Sequence, residues 1–400
     1  MTVRVSKPKI NLREKLSELD NPVGNHGAQL MKSVDVAETF NLIGAGRRNI
    51  VINGDMSISQ RYGTTAHTIP GANTYVLDRW GAWSNQASKF SVQQVADAPT
   101  EEGLKYSTKC TSSSAYSAAS GDWFGYNYRI EANNITQGLL GTANAKTFTL
   151  SFWVKSSVTG SWYGAIRTKG SSPDRSYPFD YTINTANTWE KKTLTFPGAV
   201  DGTWGSGTSE GMCLWWDLGS GSNWHGDGYV WHNANKTGAD ASPFIAVNGA
   251  TWYITGVQLE IGTVATPFEH RSYNEELSLC QRYFNVWPPR SGGIPAWPVY
   301  TGGSQAVACI WIPHTMRTVP TPTDSGTGTS TTTGHTYNNN GTSVSTRYAN
   351  GTSPTLSCGG QDGHYGLNMH FGAYGGSGGH EADIASWNGT APGIWLSSEL

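Results

Sequence analysis

Between residues 50 and 270 no window of the sequence carries the apolar spacing of a helix. The apolar residues alternate instead. In "TFTLSFWVK" Phe148, Leu150, Phe152 and Val154 share one face, with Thr147, Thr149, Ser151 and Lys155 opposite, because successive side chains of a strand point to opposite sides. "TWEKKTLTFPG" ends at the turn signal Pro197-Gly198, "GMCLWWDLGSGSNW" is an apolar strand closed by glycines, and "TWYITGVQLEIG" is the last of the series. Short strands separated by Gly, Ser and Asn turns predict an all-β sandwich, and among sandwiches a jelly roll. In the last strand Val257, Leu259 and Ile261 share a face, while Trp252 and Ile254 have the opposite parity. That mismatch predicts a bulge at Gly256, or a strand covered on both faces.

Composition agrees with a packed β protein. Charged residues are 14% of the 400, well below the roughly 25% of ordinary globular chains. With 49 Gly such a chain would read as disordered, but 17 Trp and 18 Tyr argue for packed sheets. A net charge of −2 carries no nucleic-acid signature. The basic residues are uneven: Arg4, Lys7, Lys9, Arg13, Lys15, Lys32, Arg47 and Arg48 crowd the first 50 positions, and only Arg317 and Arg347 follow residue 291. The two ends are expected to have different tasks. Cys110, Cys213, Cys280, Cys309 and Cys358 are far apart, odd in number and without a CxxC pair, so free, mostly buried thiols and folding in a reducing cytoplasm are expected. The start of the chain lacks the apolar core of a signal peptide, and no run approaches the ~18 apolar residues of a membrane span. Neither export by the usual route nor membrane insertion is expected.

Four segments follow from these patterns. In residues 1–48, "NLREKLSELDNP" places Leu12, Leu16 and Leu19 on one helical stripe stopped by Pro22. "SVDVAETFNLIGAG", which carries Phe40, runs from a possible cap at Ser33 to a stop at Gly44. Two short helices make no core, so this arm must dock on something larger. Residues 49–271 are the sandwich. Residues 272–290 are expected to be an amphipathic helical linker, opened by the Ser272/Glu275 capping box, with Tyr273, Leu277, Cys280 and Phe284 on one face and Pro288-Pro289 at its end. Residues 291–400 read as a smaller β-domain. "AVACIWI" is a buried strand, "MRTVPTPT" an edge segment, and Asn340-Gly341 and Asn350-Gly351 are hairpin turns. Trp387 and Trp395 near its end oppose a disordered tail. No repeat of fixed period is visible.

Several segments together resemble a family of bacteriophage virion proteins: "NLIGAGRRNIVINGDMSISQRYG", "YVLDRW", "TFTLSFWVK", "TWEKKTLTFPG", "GTWG" and "ITGVQLEIGTVATPFEHRSYNEELSLCQRYF". These are tail fibres and related appendages with a jelly-roll domain similar to carbohydrate-binding modules. The leader "KPKINLREKLSELDNP" is similar to the N-terminal arm of such proteins, and "MRTVPTPT" extends the likeness into the last domain. The likeness runs from residue 7 to about 285. It implies an oligomeric fibre, often trimeric, whose N-terminus joins other virion or tail proteins and whose distal domains meet a host cell-surface glycan. Leu12, Leu16, Leu19 and Phe40 are then the expected attachment residues, and the virion, assembled in the host cytoplasm, the expected location. Modules of this kind often hold a structural calcium with acidic residues. Here Asp55 has no Phe-Glu after it, and Thr255-Gly256 stand where an Asp pair would, so no calcium is carried over.

Catalytic chemistry finds no foothold. Asp174, Asp180, Asp201, Glu210, Asp217, Asp227 and Asp240 mostly sit beside Gly, Ser or Pro, as turn-forming acids do, and no spacing singles out the carboxylate pair of a glycosidase. "NLIGAGRRN" lacks the strand and helix that a phosphate-binding glycine loop needs. His225, Asp227 and His232 could hold a metal, but lie in a Gly-rich turn that reads better as a surface loop. Cys280 sits on an apolar helical face. No enzyme, cofactor or metal is therefore expected. The aromatic residues between 204 and 231 remain. Flat rings offer large contact area at little entropic cost, and sugar rings have apolar faces to lay on them. Trp204, Trp216, Trp224 and Trp231 are the expected glycan-binding residues, with Trp204 and Trp224, beside Gly, Ser or Asn, the most exposed. Adjacent Trp215 and Trp216 must point to opposite faces. A virion scaffold, adaptor or head-decoration protein without a ligand, and a polysaccharide depolymerase, are the alternative readings.

Overall fold

The computed structural model describes residues 48–168 and 174–287, and beyond them 297–301, 305–311, 315–318, 320–324, 335–336, 338–339, 342–343, 355–361, 364–371, 386–387 and 394–400. The expected arm, with Leu12, Leu16, Leu19 and Phe40, lies outside the described residues. Twelve strands build the main body: β1 (His67–Pro70), β2 (Thr74–Leu77), β3 (Trp80–Ser84), β4 (Ala87–Val95), β5 (Ser107–Ser112), β6 (Phe124–Glu131), β7 (Thr147–Ser156), β8 (Gly160–Thr168), β9 (Arg175–Ile183), β10 (Glu190–Pro197), β11 (Glu210–Asp217) and β12 (Thr251–Ile261). They form two six-stranded antiparallel sheets, ordered β1-β4-β5-β12-β7-β10 and β2-β3-β6-β11-β8-β9. The expected jelly-roll sandwich is therefore the observed fold.

One aromatic core fills the space between the sheets. Trp80, Trp162, Trp216, Trp252, Tyr126, Tyr128, Phe148 and Phe152 are all buried. Phe148 lies opposite Phe196 across the β7–β10 ladder, and the rings stack at 5.5 Å. Some of the buried indole N–H groups find acceptors: Trp80 Nε1 donates to Asn53 O at 2.8 Å and Trp252 Nε1 to Tyr181 Oη at 3.1 Å, while Trp216 Nε1 has none among the described residues. Trp216, expected at the glycan site, belongs to this core. It packs against Phe152 at 5.5 Å and Trp80 at 5.8 Å and has no exposed surface. The physical reason is parity: Met212, Leu214 and Trp216 are the alternate residues of β11 and all point inward.

The parity conflict in β12 is resolved by a bulge. The register against β7 slips between Thr255 and Gln258, and Gly256 there has φ +59°. Ile254 faces Val154 before the slip and Leu259 faces Leu150 after it, so both halves of the strand deliver apolar side chains to one core. The segment before β1 fills the bulge: Val257 N donates to Gly54 O at 2.9 Å and Ile50 N to Leu259 O at 3.0 Å. Where the acidic pair of the resembled modules would stand, Thr255 Oγ1 donates to Tyr106 O at 2.6 Å. The positive charge in this region is Arg271. Its guanidinium donates to the carbonyls of Val51 and Asn49 and lies 3.4 Å from both Glu269 and Glu276.

The helix α1 (Tyr273–Gln281) is capped by Ser272, whose hydroxyl accepts from Glu275 N at 3.3 Å. Its buried face differs from the apolar stripe expected. Tyr273 is 62% exposed, and Phe284 already belongs to the strand β13 (Phe284–Trp287). Glu276 and Cys280 are the buried pair. Glu276 is drawn inward because its carboxylate accepts from Asn53 N and pairs with Arg271. Cys110, Cys213 and Cys280 are buried.

Beyond β13 the strands Trp297–Thr301, Gln305–Trp311, Thr355–Gln361 and His364–Phe371 form one antiparallel sheet, and "AVACIWI" supplies its second strand. Asn339 lies opposite Thr342, the register that a turn at Asn340-Gly341 requires; Asn350-Gly351 lies outside the described residues. Thr321–Asp324 is an edge strand, as "MRTVPTPT" predicts. The last strand, Ile394–Ser397, runs between it and β13, so the end of the chain returns to the sandwich.

Candidate binding cleft

The outer face of the second sheet holds the candidate site. Residues that share a row across an antiparallel sheet point the same way. Gly81, Asn127, Trp215 and Ala165 form one such row from β3 through β6 and β11 to β8. The next rows carry Trp83, Gly125 and Asp217 on one side and Arg129, Cys213 and Arg167 on the other. Two glycines let the indoles lie down. A Cβ on Gly125 would stand 2.1 Å from the Trp215 ring, and one on Gly81 would stand 2.7 Å from Trp83 Nε1. The rings meet edge to face at 6.2 Å. Each also lies under a guanidinium: Arg129 at 3.8 Å above Trp83 and Arg167 at 4.4 Å above Trp215, contacts favoured by the electron-rich ring face.

Trp123 and Trp224 stand beside this floor, edge to face at 6.1 Å and both half-buried. Trp224 is placed by a tight turn: its N–H donates to Gly221 O at 3.0 Å, its carbonyl accepts from Thr237 N at 2.9 Å, and Nε1 donates to Gly121 O at 3.0 Å. Together with Asn73, Asn85, Asn235 and Thr237 these residues enclose a cleft of about 240 Å³. That is smaller than the ~300–1,000 Å³ usual for small-molecule pockets, and suits a single ring unit with the rest of a chain outside. The cleft offers flat aromatic surface, amide groups and one guanidinium. Among the described residues no carboxylate lines it.

The charges around the cleft are distributed unequally. Arg129 pairs with Glu210 at 3.1 Å. Arg167 has no carboxylate within ion-pair reach among the described residues. Its Nη2 donates to Asn235 Oδ1, Nε and Nη1 have no acceptor, and burial pushes it down from the usual arginine value. Glu210 and Asp174 act on it electrostatically without an ion-pair contact, and the other acids of this face are engaged elsewhere. Asp122 accepts from Ala119 N, Tyr116, Gln86 and Asn85, and Asp217 from the amides of Gly219, Ser220 and Ser242.

Of the four tryptophans expected at a site, only Trp224 lines the cleft. Trp204 and Trp231 form a second cluster with Tyr177 and Tyr229, with ring separations of 5.8 Å, 5.4 Å and 6.4 Å. Trp204 Nε1 donates to Asp201 O and Trp231 Nε1 to Pro197 O. Trp83, Trp123, Arg167 and Asn235 were not anticipated, and Trp215 belonged to the aromatic cluster without being among the four expected residues. Parity within "GMCLWWD" and "WGAWS" separates Trp215 and Trp83 from their inward neighbours, but nothing local says which outward ring adjoins a cleft. The three groups of "WHGDGYVWH" do not converge: His225 Nε2 lies 2.9 Å from Ser220 O and His232 Nε2 lies 2.8 Å from Asp227 O. Among the described residues no three acidic, His or Cys side chains are grouped as a metal would need.

No protein-family profile matches the chain, and no curated protein does. Among solved structures it is similar to the enzymatically active domain of tailspike protein 4 of bacteriophage CBA120, at 13% identity and a TM-score of 0.30, over 54% of this chain and 21% of that one. A family 11 carbohydrate-binding module from Clostridium thermocellum, in complex with a β-1,3-1,4-mixed-linked tetrasaccharide, matches at 11% identity and a TM-score of 0.26, over 51% of this chain and 99% of that one. The CBM22-1–GH10 modules of xylanase 10B from the same organism, complexed with xylohexaose, match at 9% identity and a TM-score of 0.27, over 53% of this chain and 30% of that one. The chain thus spans about a fifth of the tailspike domain's own length. At these scores the likenesses carry no argument, and the sandwich is established by its own strand order.

Proposed function

We propose that this protein is a non-catalytic saccharide-binding appendage of a phage particle. In this reading the first 48 residues attach to other virion proteins, and the β-domains meet a glycan on the host surface. The observation that carries the binding part is the cleft: the half-buried rings of Trp123 and Trp224 stand beside a buried floor of Trp83 and Trp215 covered by Arg129 and Arg167, with amide side chains at the rim. Aromatic faces receive the apolar faces of sugar rings, and amides serve hydroxyls. A glycosidase needs two carboxylates across the scissile bond, and the described residues of the cleft lining supply none, which supports binding over cleavage. The virion role rests on the sequence resemblance across residues 7 to about 285. Binding at one small cleft is weak, and several copies on a fibre multiply it.

A glycan array probed with residues 48–400, and with Trp224→Ala, tests the binding part. Retention of specific glycans by the parent and at least a tenfold loss in Trp224→Ala, with unchanged melting, is expected. An array with no signal from the parent defeats it. Light-scattering mass of the full chain tests the fibre: a stable trimer is expected, and a monomer at all concentrations contradicts it.

A further inference from the structure

A buried cation without a counterion is expensive. An unpaired charge removed from water costs several kcal/mol or more, so proteins pair or expose such groups. This chain does so elsewhere. Arg61 and Arg79 reach Glu399, Arg129 reaches Glu210, Arg175 reaches Asp201, Arg271 reaches Glu269 and Glu276, and Arg282 reaches Glu131. Arg167 is the exception among the buried arginines of the described sandwich. It is 5% exposed, lines the cleft, and among the described residues is met only by the Asn235 amide oxygen and the face of Trp215. It stands two positions across the sheet from Arg129, which adds positive potential. On the loop that supplies Asn235, Lys236 Nζ donates only to Asn223 O at 3.2 Å.

We infer that the cleft selects an acidic saccharide, a sugar ring whose carboxylate replaces the missing counterion of Arg167 while its apolar face lies against Trp123 or Trp224. This deepens, and rests on, the reading of the cleft as a saccharide site. A carboxylate is favoured over a bulkier anion because its planar pair of oxygens matches the planar guanidinium, and because a cleft of about 240 Å³ leaves little room beside the ring. A neutral sugar entering the same cleft would bury the guanidinium further without neutralising it.

The test uses the full chain and matched probes. Affinity for oligogalacturonate is compared by calorimetry with its methyl ester, which has the same ring and linkage without the charge. Dextran and dextran sulfate separate a carboxylate from an anion of any kind. The expected result is at least tenfold tighter binding of the acid than of its ester, weakening as salt rises, and no such gain from sulfation. Arg167→Gln is expected to bind acid and ester alike. Arg167→Lys, which keeps the charge, retains at least part of the preference and guards against a glutamine variant that fails to fold. Equal binding of acid and ester by the parent overturns the inference and leaves the saccharide reading standing. A preference for sulfate over carboxylate overturns the choice of anion. Failure to bind any glycan, neutral or acidic, overturns both.

Discussion

Gly125 decides where Trp215 lies. Any side chain at this position would occupy the ring's place, because a Cβ would stand 2.1 Å from Trp215 Cζ2. Gly125→Ala therefore has to lift the indole off the sheet. A loss of roughly 1–3 kcal/mol is expected, as for other overpacking substitutions, together with loss of glycan affinity; thermal melting and titration of one preparation read both. A pair of tryptophans separates packing from binding. Trp216→Ala removes a ring with no exposure from the core and is expected to cost about 3–5 kcal/mol. Trp224→Ala removes a half-buried ring from the rim and is expected to leave the melt nearly unchanged while binding falls. The inward and outward members of Trp215-Trp216 were legible in principle, since Met212 and Leu214 fix the inward parity. The fact that makes Trp215 a floor is not local. It depends on Gly125 one strand away and on Arg167 on another, and strand order across a jelly roll is set by long-range pairing that no short window encodes.

At the scale of elements, the pieces with strong periodicity were readable and those held by polar contacts were not. The alternation of β7 and the turn after β10 follow from residue pattern alone, and the parity break in β12 left a bulge as one of two readings. The helix α1 was legible from its cap but not in its inward face, because that face is chosen by Glu276 meeting Arg271 and Asn53 N, the latter 223 positions away in sequence. The β12 bulge is a sharp test. Gly256 has φ +59° and a Cβ there would meet Leu104 Cδ1 at 2.8 Å. Gly256→Ala is expected to cost at least roughly 1–2 kcal/mol from the left-handed backbone alone, seen as a lower denaturant midpoint. The turn joining β9 to β10 makes a pH prediction. Burial pushes Glu190 up, but Lys192, the Thr185 and Asn184 amides and the Asn184 side chain outweigh it, and its carboxyl is lowered to about 2. A folded pKa below the unfolded one means stability that is full above the ordinary glutamate range and lost as pH falls from there towards about 2. Glu190→Gln should melt lower than the parent at neutral pH, and the gap should narrow on acidification. A gap independent of pH would refute the role of the charge.

At the scale of the whole molecule, the end of the chain clasps the sandwich, an arrangement the composition of residues 291–400 gives no hint of. Ser398 N donates to Tyr283 O at 2.8 Å, and Tyr75 Oη donates to Leu400 O at 2.7 Å. Arg317 ties three carbonyls together: those of Ser398, Glu399 and Thr208, at 2.6, 2.9 and 2.7 Å. Glu399 lies between two buried cations, paired with Arg79 and 3.3 Å from Arg61. These guanidiniums in turn sit 3.5 Å from the ring centres of Tyr283 and Phe284. Because β13 and Ile394–Ser397 are adjacent strands, the stretch from 288 to 393 leaves and re-enters at one place. That stretch contributes to the clasp through Arg317 and the edge strand Thr321–Asp324, with Glu399 at its centre. Glu399→Gln tests this. It leaves Arg79 without a counterion, facing a neutral amide, Arg129 O and aromatic faces, and breaking such a buried pair from one side costs up to about 3–5 kcal/mol. The expected outcome is a lower melting temperature together with faster hydrogen exchange at Ser398 N, while exchange in β7 and β12 stays slow below the melt. Unchanged protection at Ser398 N would mean that the strand pairing with β13 alone retains the chain end, and that Glu399 adds nothing to the clasp.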